Sequence, residues 1–200
     1  MENSLSKKQV RTRALKKNEV KRLETYIRGL DTSSAIRDLA IFRTQIHSLL
    51  RVGDLLALKS ETILFNGEVR KSFQVIQKKT KTPVKIELDD KTVAVLEDYL
   101  KSKKEQTEYV FTGRQSKKTN KPITDILWRK RLKQYCREVG IDDKDISSHS
   151  LRKVIPTLLG NQGNIRAAQK LLNHKSLQHT MAYISINETE AFELKSRLDI

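Results

Sequence analysis

Apolar residues recur along this chain with two different periods, and the switches between them divide it. Val20, Leu23, Ile27 and Leu30 follow at helical spacing, with Asn18 as the expected N-cap, Glu19 in the first turn and Gly29 near the stop. A second helix is expected from Ser33 or Ser34, with Ala35, Ile36, Leu39, Ala40 and Ile46 as its apolar positions, and a further helical stretch from Leu49 to Leu58. The period then shortens. Glu61 to Phe65 predicts a short strand, Asn66-Gly67 a two-residue hairpin turn, and Val69 to Gln77 the returning strand. Lys78-Lys79-Thr80-Lys81-Thr82 makes a second, basic turn before a third strand, Pro83 to Leu88, where Val84, Ile86 and Leu88 alternate with Lys85 and Glu87. Helical spacing returns at Thr92 to Leu100 and at Asp125 to Val139, where Trp128, Leu132, Tyr135, Cys136 and Val139 form one stripe ended by Gly140. Trp128 on that stripe reads as a core anchor rather than a base-stacking residue. The last third is helical again, with Asn164 capping one helix, a second from Leu177 to Ile184, and a final one from Glu188 to Leu198. The expected fold is mainly α with a small three-stranded antiparallel β-sheet.

Composition adds a partner to this outline. A chain of 200 residues with 37% hydrophobic positions is long enough for one well-packed domain with appendages. Lys and Arg exceed Asp and Glu enough for a net charge of +16, which implies an anionic partner. No apolar run approaches the roughly 18 residues that span a bilayer, and the first residues carry no secretory signal, so the partner is read as nucleic acid rather than membrane. Cys136 is the single cysteine, which suits a reducing cytoplasm. Basic residues crowd the start of the chain, among them Lys7, Lys8, Arg11 and Arg13, with no apolar face beside residues 5–13. They read equally as a flexible arm on DNA phosphates and as a charged, solvated tail. Arg129 and Lys130 lie off the apolar stripe of their helix and offer a basic face to a DNA backbone or to solvent.

The candidate chemistry lies near the C-terminus: His149-Ser150-Leu151-Arg152, then Leu172-Asn173-His174, then Tyr183. A tyrosine hydroxyl can attack phosphorus, and Arg and His can hold a phosphate as its charge grows. Singly, each of these residues is more readily a structural one. Together they resemble the catalytic box of the tyrosine site-specific recombinases, the phage-integrase family. Two upstream motifs complete the resemblance. Leu50-Arg51-Val52-Gly53-Asp54-Leu55-Leu56-Ala57-Leu58 is similar to the family's first arginine motif, and Lys79-Thr80-Lys81 to its Lys-Thr-Gly β-turn. The similarity runs from about residue 19 to 195.

The resemblance implies a role for each residue. Arg51 and Arg152 clamp the scissile phosphate, and His149 and His174 bond its oxygens, His149 also serving in proton transfer. Lys79 donates a proton to the leaving oxygen, Tyr183 is the nucleophile, and Asp54 supports the first arginine. Lys81 stands where the family usually has Gly, so Lys78 and Lys81 contest the lysine's role and are otherwise DNA contacts. Asn173 replaces the Gly of the common Leu-Gly-His, a substitution that keeps the left-handed backbone accessible. Pro156 falls where the family runs a helix, which predicts a kink or a late start. No metal or other cofactor is expected, because two Arg, one Lys and two His supply the charge.

The implied activity is site-specific DNA breakage and rejoining through a 3′-phosphotyrosine, to integrate, excise or invert a mobile DNA element. The implied assembly is a homo-tetramer on paired double-stranded DNA sites, from a protein that is monomeric off DNA, with an accessory DNA-bending protein and a bacterial, nucleoid-associated setting. A non-recombining DNA-binding regulator and a type IB topoisomerase are the alternatives. The expected division is a basic arm at 1–18, a catalytic domain at 19–186, and a C-terminal helix at 187–200 that is either exchanged between protomers or folded back on its own. No separate N-terminal DNA-binding domain is expected ahead of the first helix, as in the short recombinases that invert fimbrial promoter switches.

Overall fold

A computed structural model describes residues 12–103, 105–113, 121–184 and 195–196. The chain enters along residues 12–16, held by Arg13 N–H donating to the Asp145 carbonyl (3.1 Å) and by the buried Leu15. Helix α1 spans Lys17–Arg28 and buries Leu23 and Ile27. Its N-cap is Lys16 rather than Asn18, because the Glu19 carboxylate, gripped by Arg13 at 2.6 and 2.8 Å, reaches back to accept from the Lys16 N–H at 2.8 Å.

Helix α2, Ser33–Ser48, is the centre of the molecule. Thr32 caps it, its Oγ1 accepting from the Ala35 N–H at 3.1 Å, and Leu39, Ala40, Ile41, Phe42 and Ile46 are all buried. A helix buried on nearly every side needs neighbours on every side, and α2 has them in α1, in α5 (Asp90–Ser102) and in the C-terminal helices. Leu49 then takes a left-handed backbone (φ +54°), which ends α2 and turns the chain. The long helix expected from 49 to 58 is therefore reduced to α3, Val52–Leu56, with Arg51 as its extended N-cap.

The strand region departs from expectation in two ways. Most of the segment read as a first strand is instead the short helix α4, Ser60–Ile63, followed by β1, Leu64–Phe65. The expected three-stranded sheet is two two-stranded ones: β1 with β2 (Glu68–Val69) around Asn66-Gly67, and β3 (Ser72–Ile76) with β4 (Pro83–Glu87). The middle strand breaks because it changes partners at Arg70 and Lys71. The Arg70 N–H still donates to the Ile63 carbonyl (2.7 Å), whereas the Lys71 carbonyl accepts from Leu88 N–H (2.9 Å). Period-two patterning sees the apolar alternation across this joint but not the change of partner. Asn66 and Gly67 both have positive φ, as a tight hairpin turn of this kind requires.

Helix α6, Asp125–Glu138, carries the expected stripe inward, with Trp128 fully buried. Three helices close the fold: α7 (Ser148–Asn161), α8 (Ile165–Leu172) and α9 (Leu177–Ile184). Helix α7 does not start late: it begins eight residues before Pro156, and the proline sits inside it. Among the described residues no helix is long and apolar enough to cross a membrane. The final helix expected from Glu188 to Leu198 falls mostly outside the described residues, as do Lys7, Lys8 and Arg11.

Candidate phosphate-transfer site

The site forms where the start of α3, the β3–β4 turn and helices α7 to α9 meet. Capping bonds and a buried link to α2 fix the start of α7. Ser147 caps it, accepting from the His149 N–H at 3.2 Å, while Ser150 Oγ accepts from the Ser147 N–H at 3.0 Å. The Ser148 carbonyl accepts from Gln45 on α2 (2.8 Å), whose amide oxygen in turn accepts from the Trp128 indole (2.9 Å). His149 is thus presented at the positive end of a well-anchored helix. Although its edge reaches solvent, surrounding protein desolvates the ring, and with the charge of Arg152 this holds its pKa below the usual imidazole value.

One turn further, Arg152 points inward and is only 2% exposed. Its Nη2 lies 3.5 Å from the Leu172 carbonyl, a contact at the limit of hydrogen bonding, and its buried Nε has no partner among the described residues. Burial and the positive charge of Arg51 push its pKa down from the arginine value, yet a guanidinium stays charged at any working pH. An arginine buried with a free donor is costly unless an anion completes it.

Asn173 ends α8 in the left-handed conformation (φ +54°), so Asn serves where Gly is common. His174 follows, tied by its N–H to the Gln169 carbonyl and by its own carbonyl to Gln169 Nε2, both at 3.1 Å. Its Nδ1 lies 3.2 Å from Thr180 Oγ1 on α9, and its ring meets Tyr183 edge-on, with centroids 5.5 Å apart. Burial, then Arg152 and Arg51, lowers the His174 pKa. Tyr183 also faces the Arg152 guanidinium, 5.9 Å from its ring centre, and its buried hydroxyl has no hydrogen-bond partner among the described residues. Burial raises the Tyr183 pKa, while Arg152 and Arg51 pull against that rise.

Arg51 approaches from the other side. Its Nη1 donates to Gln77 Oε1 at 2.8 Å, and its charge is felt at Tyr183, Arg152, His149 and His174. Asp54, three residues on and buried, does not bond Arg51. Its Oδ1 accepts from the Lys78 backbone N–H at 3.0 Å, and its Oδ2 is buried without a partner among the described residues. Lys79 is exposed on the β3–β4 turn, between the exposed Lys78 and Lys81. Lys81 has φ +55°, the backbone state in which glycine costs least, at the position where the recombinase turn usually has Gly. The core of the site is therefore Arg51, His149, Arg152, His174 and Tyr183, with Lys79 on a turn at its edge.

Of the other basic residues, Arg13 is not part of a free arm: its guanidinium is paired with Glu19 (2.6 Å) and Asp145 (3.3 Å). Arg129 pairs with Asp125 at 3.2 Å, and Asp125 in turn meets Ser148 Oγ at 3.3 Å, next to His149. Lys130 is exposed on the same helix.

Three residues of the site carried no signal in the sequence. Gln77 bonds Arg51. Lys153, 6% exposed, puts its Nζ 5.1 Å from the Tyr183 ring centre and donates to the Thr12 carbonyl at 2.6 Å. Gly160 lies against Ile184, where an added Cβ would sit 2.8 Å from Cγ2. Gln77 lies two residues before Lys79 and Lys153 next to Arg152, which periodicity does not rank, while Gly160 meets Ile184 only in space.

Comparison with known proteins identifies relatives of the chain. A probable integrase/recombinase from Bacillus subtilis, YoeC, is 31% identical over 153 residues, which is 76% of this chain and 79% of that protein. The tyrosine recombinase XerA of Pyrococcus horikoshii is 28% identical over 177 residues, 87% of this chain but 57% of its own length. A crystal structure of the XerH site-specific recombinase bound to its difH substrate superposes with a TM-score of 0.73 at 17% identity, covering 99% of this chain and 56% of that one, and shares the fold. This chain thus spans little more than half the length of XerA and XerH. Residues 13–190 match the phage integrase family, and the chain belongs to it.

Proposed function

We propose that this chain carries out site-specific DNA breakage and rejoining with Tyr183 as the nucleophile. The observation that carries the reading is the Tyr183 hydroxyl, buried between Arg152 and His174 and unpartnered among the described residues, with a buried arginine donor likewise unanswered beside it. A tetrahedral anion supplies what these groups lack. The relatives that match act as recombinases, and the solved XerH complex holds DNA.

In this mechanism Tyr183 Oη attacks the phosphorus in line with the 5′ oxygen. The P–Oη bond forms as the P–O5′ bond breaks, leaving a 3′-phosphotyrosine and a 5′-hydroxyl. Burial keeps the phenol protonated at rest, so its proton must leave during attack. His149, held neutral, is the base within the site suited to accept it. Arg51 and Arg152 meet the charge growing on the non-bridging oxygens, each such donor typically contributing about 10²–10³ in rate. His174, its Nδ1 turned to Thr180, offers Nε2 to the same oxygens. Lys79 protonates the departing 5′ oxygen. Attack by another 5′-hydroxyl reverses the step, so the linkage energy is conserved and no nucleotide cofactor is consumed. Strand exchange between two duplexes requires paired sites, and we assign the active form to a homo-tetramer on DNA.

The test is a nicked suicide substrate built from DNA flanking the gene. Wild type is expected to form a covalent 3′-phosphotyrosyl adduct and Tyr183→Phe none; an adduct that survives Tyr183→Phe overturns the assignment. Relaxation of supercoiled DNA without site preference would favour a topoisomerase.

A further inference from the structure

We propose that Gln77 is a positioning residue that couples Arg51 to the turn bearing Lys79, so that the phosphate clamp and the proton donor are set together. The proposal rests on the cleavage reading above.

Gln77 is 3% exposed and follows the last residue of β3. Its amide oxygen accepts two bonds, from Arg51 Nη1 at 2.8 Å and from Thr80 Oγ1 at 3.0 Å. Its backbone closes the turn as well: its N–H donates to the Thr82 carbonyl at 3.0 Å and its carbonyl accepts from the Lys81 N–H at 2.8 Å. Gln77 therefore brackets Lys78–Lys81 by main chain and side chain while holding Arg51. The chain of bonds continues. Thr80 and Thr82 hydroxyls lie 2.7 Å apart, and Thr82 Oγ1 accepts from Asn173 Nδ2 at 3.3 Å, one residue before His174. On the other flank Asp54 Oδ1 holds the Lys78 N–H. The turn is thus pinned at three places, each beside a residue assigned to the phosphate.

The residue type matters. A guanidinium has five donors, and a neutral amide oxygen orients it through one of them without cancelling its charge. A glutamate here would pair with Arg51 and compete with the phosphate, and an apolar side chain would release Arg51 and Thr80 at once. An oxygen with both lone pairs occupied by donors from α3 and from the turn passes displacement of one to the other.

The experiment pairs two suicide substrates with otherwise identical DNA: an ordinary scissile phosphate, and one whose bridging 5′ oxygen is sulfur. A thiolate leaves without a proton, so the sulfur substrate bypasses the lysine's step. Gln77→Met is expected to slow adduct formation on the oxygen substrate by about 10²-fold, the scale of a mispositioned general acid, with little change in DNA affinity. The sulfur substrate should recover most of that loss, as it should for Lys79→Ala. Thr80→Val, which cuts only the turn side of the link, should show a smaller loss, also recovered by sulfur. Wild-type rates for Gln77→Met, or an equal loss on both substrates, would overturn the proposal. A DNA-free measurement separates it from the cleavage reading. Amide hydrogen exchange at residues 78–82 should quicken both in Arg51→Ala and in Gln77→Met. An unchanged turn in Arg51→Ala refutes the coupling whatever the DNA chemistry proves to be, whereas a turn that quickens in Arg51→Ala while the wild type makes no adduct refutes only the cleavage reading.

Discussion

Two clusters in this molecule are built from arginine, aspartate and tyrosine, and they are completed in opposite ways. Around Asp38, on α2, every acceptor is answered from within. Arg37 donates to Oδ1 at 2.8 and 2.9 Å, Tyr135 donates to Oδ2 at 2.7 Å, and Arg131 also bonds Oδ2. Around Tyr183 the same residue types leave atoms unanswered among the described residues: the tyrosine hydroxyl, Arg152 Nε and Asp54 Oδ2. The two tyrosines show the consequence. The Tyr135 pKa is driven up by burial and by the adjacent Asp38 carboxylate, so its proton is locked in place. Burial raises Tyr183 too, but the charges of Arg152 and Arg51 favour the phenolate. A closed cluster holds a fold together; an open one waits for a ligand.

Paired substitutions test this contrast. The largest effect is expected from Tyr183→Phe, which removes all covalent adduct while leaving unfolding in urea unchanged, since it deletes a hydroxyl with no bond to lose. Tyr135→Phe should do the reverse, costing about 1–3 kcal/mol of stability with cleavage retained. Arg152→Ala is expected to lower the cleavage rate by about 10²–10³ with a modest loss of DNA binding, read by single-turnover kinetics beside a filter-binding titration. An equal loss of both would make Arg152 a mere anchor. Asp38→Ala, which strands buried arginine charge, should cost about 3–5 kcal/mol in denaturant melts.

Acid gives a subtler separation. His149 and His174 have pKa values below the ordinary 6.5, so the folded protein binds fewer protons than the unfolded chain. Their contribution to stability is complete above that value and declines as pH falls from it through the folded pKa values. A bound phosphate favours the imidazolium and should shrink the decline. Thermal melts from neutral to mildly acid pH, with and without site DNA, should show this, and a His149→Gln/His174→Gln variant should lose the difference. The smallest effect is expected at Lys81. Lys81→Gly relieves a left-handed backbone and should stabilise by about 1 kcal/mol, while lowering the salt slope of DNA binding by nearly one unit if Lys81 meets a phosphate.

The helical part of the fold was largely legible, because α2, α5, α6 and the C-terminal helices carry apolar residues at a period that only helices satisfy. The five central site residues were legible as a resemblance, since spacing and order survive in a linear string. What escaped depended on partners distant in sequence. The strand break at Arg70–Lys71 reflects two different neighbours, the N-cap at Lys16 depends on a glutamate held by Arg13, and Asp54 bonds a turn rather than its own arginine. Gln77 and Lys153 look like ordinary polar positions until α3 and residue 12 are brought beside them.

Gly160 has a consequence for how the family's sequences can vary here. The helix bearing Tyr183 rests against α7 at this notch, and a methyl group added at Gly160 would collide with Ile184, the residue after the nucleophile. The two positions are therefore epistatic. In a library randomised at both, alanine at 160 should be recovered only alongside a smaller residue at 184. Each change alone should be depleted, the first by collision and the second by a void, while the compensated pair survives as a joint substitution.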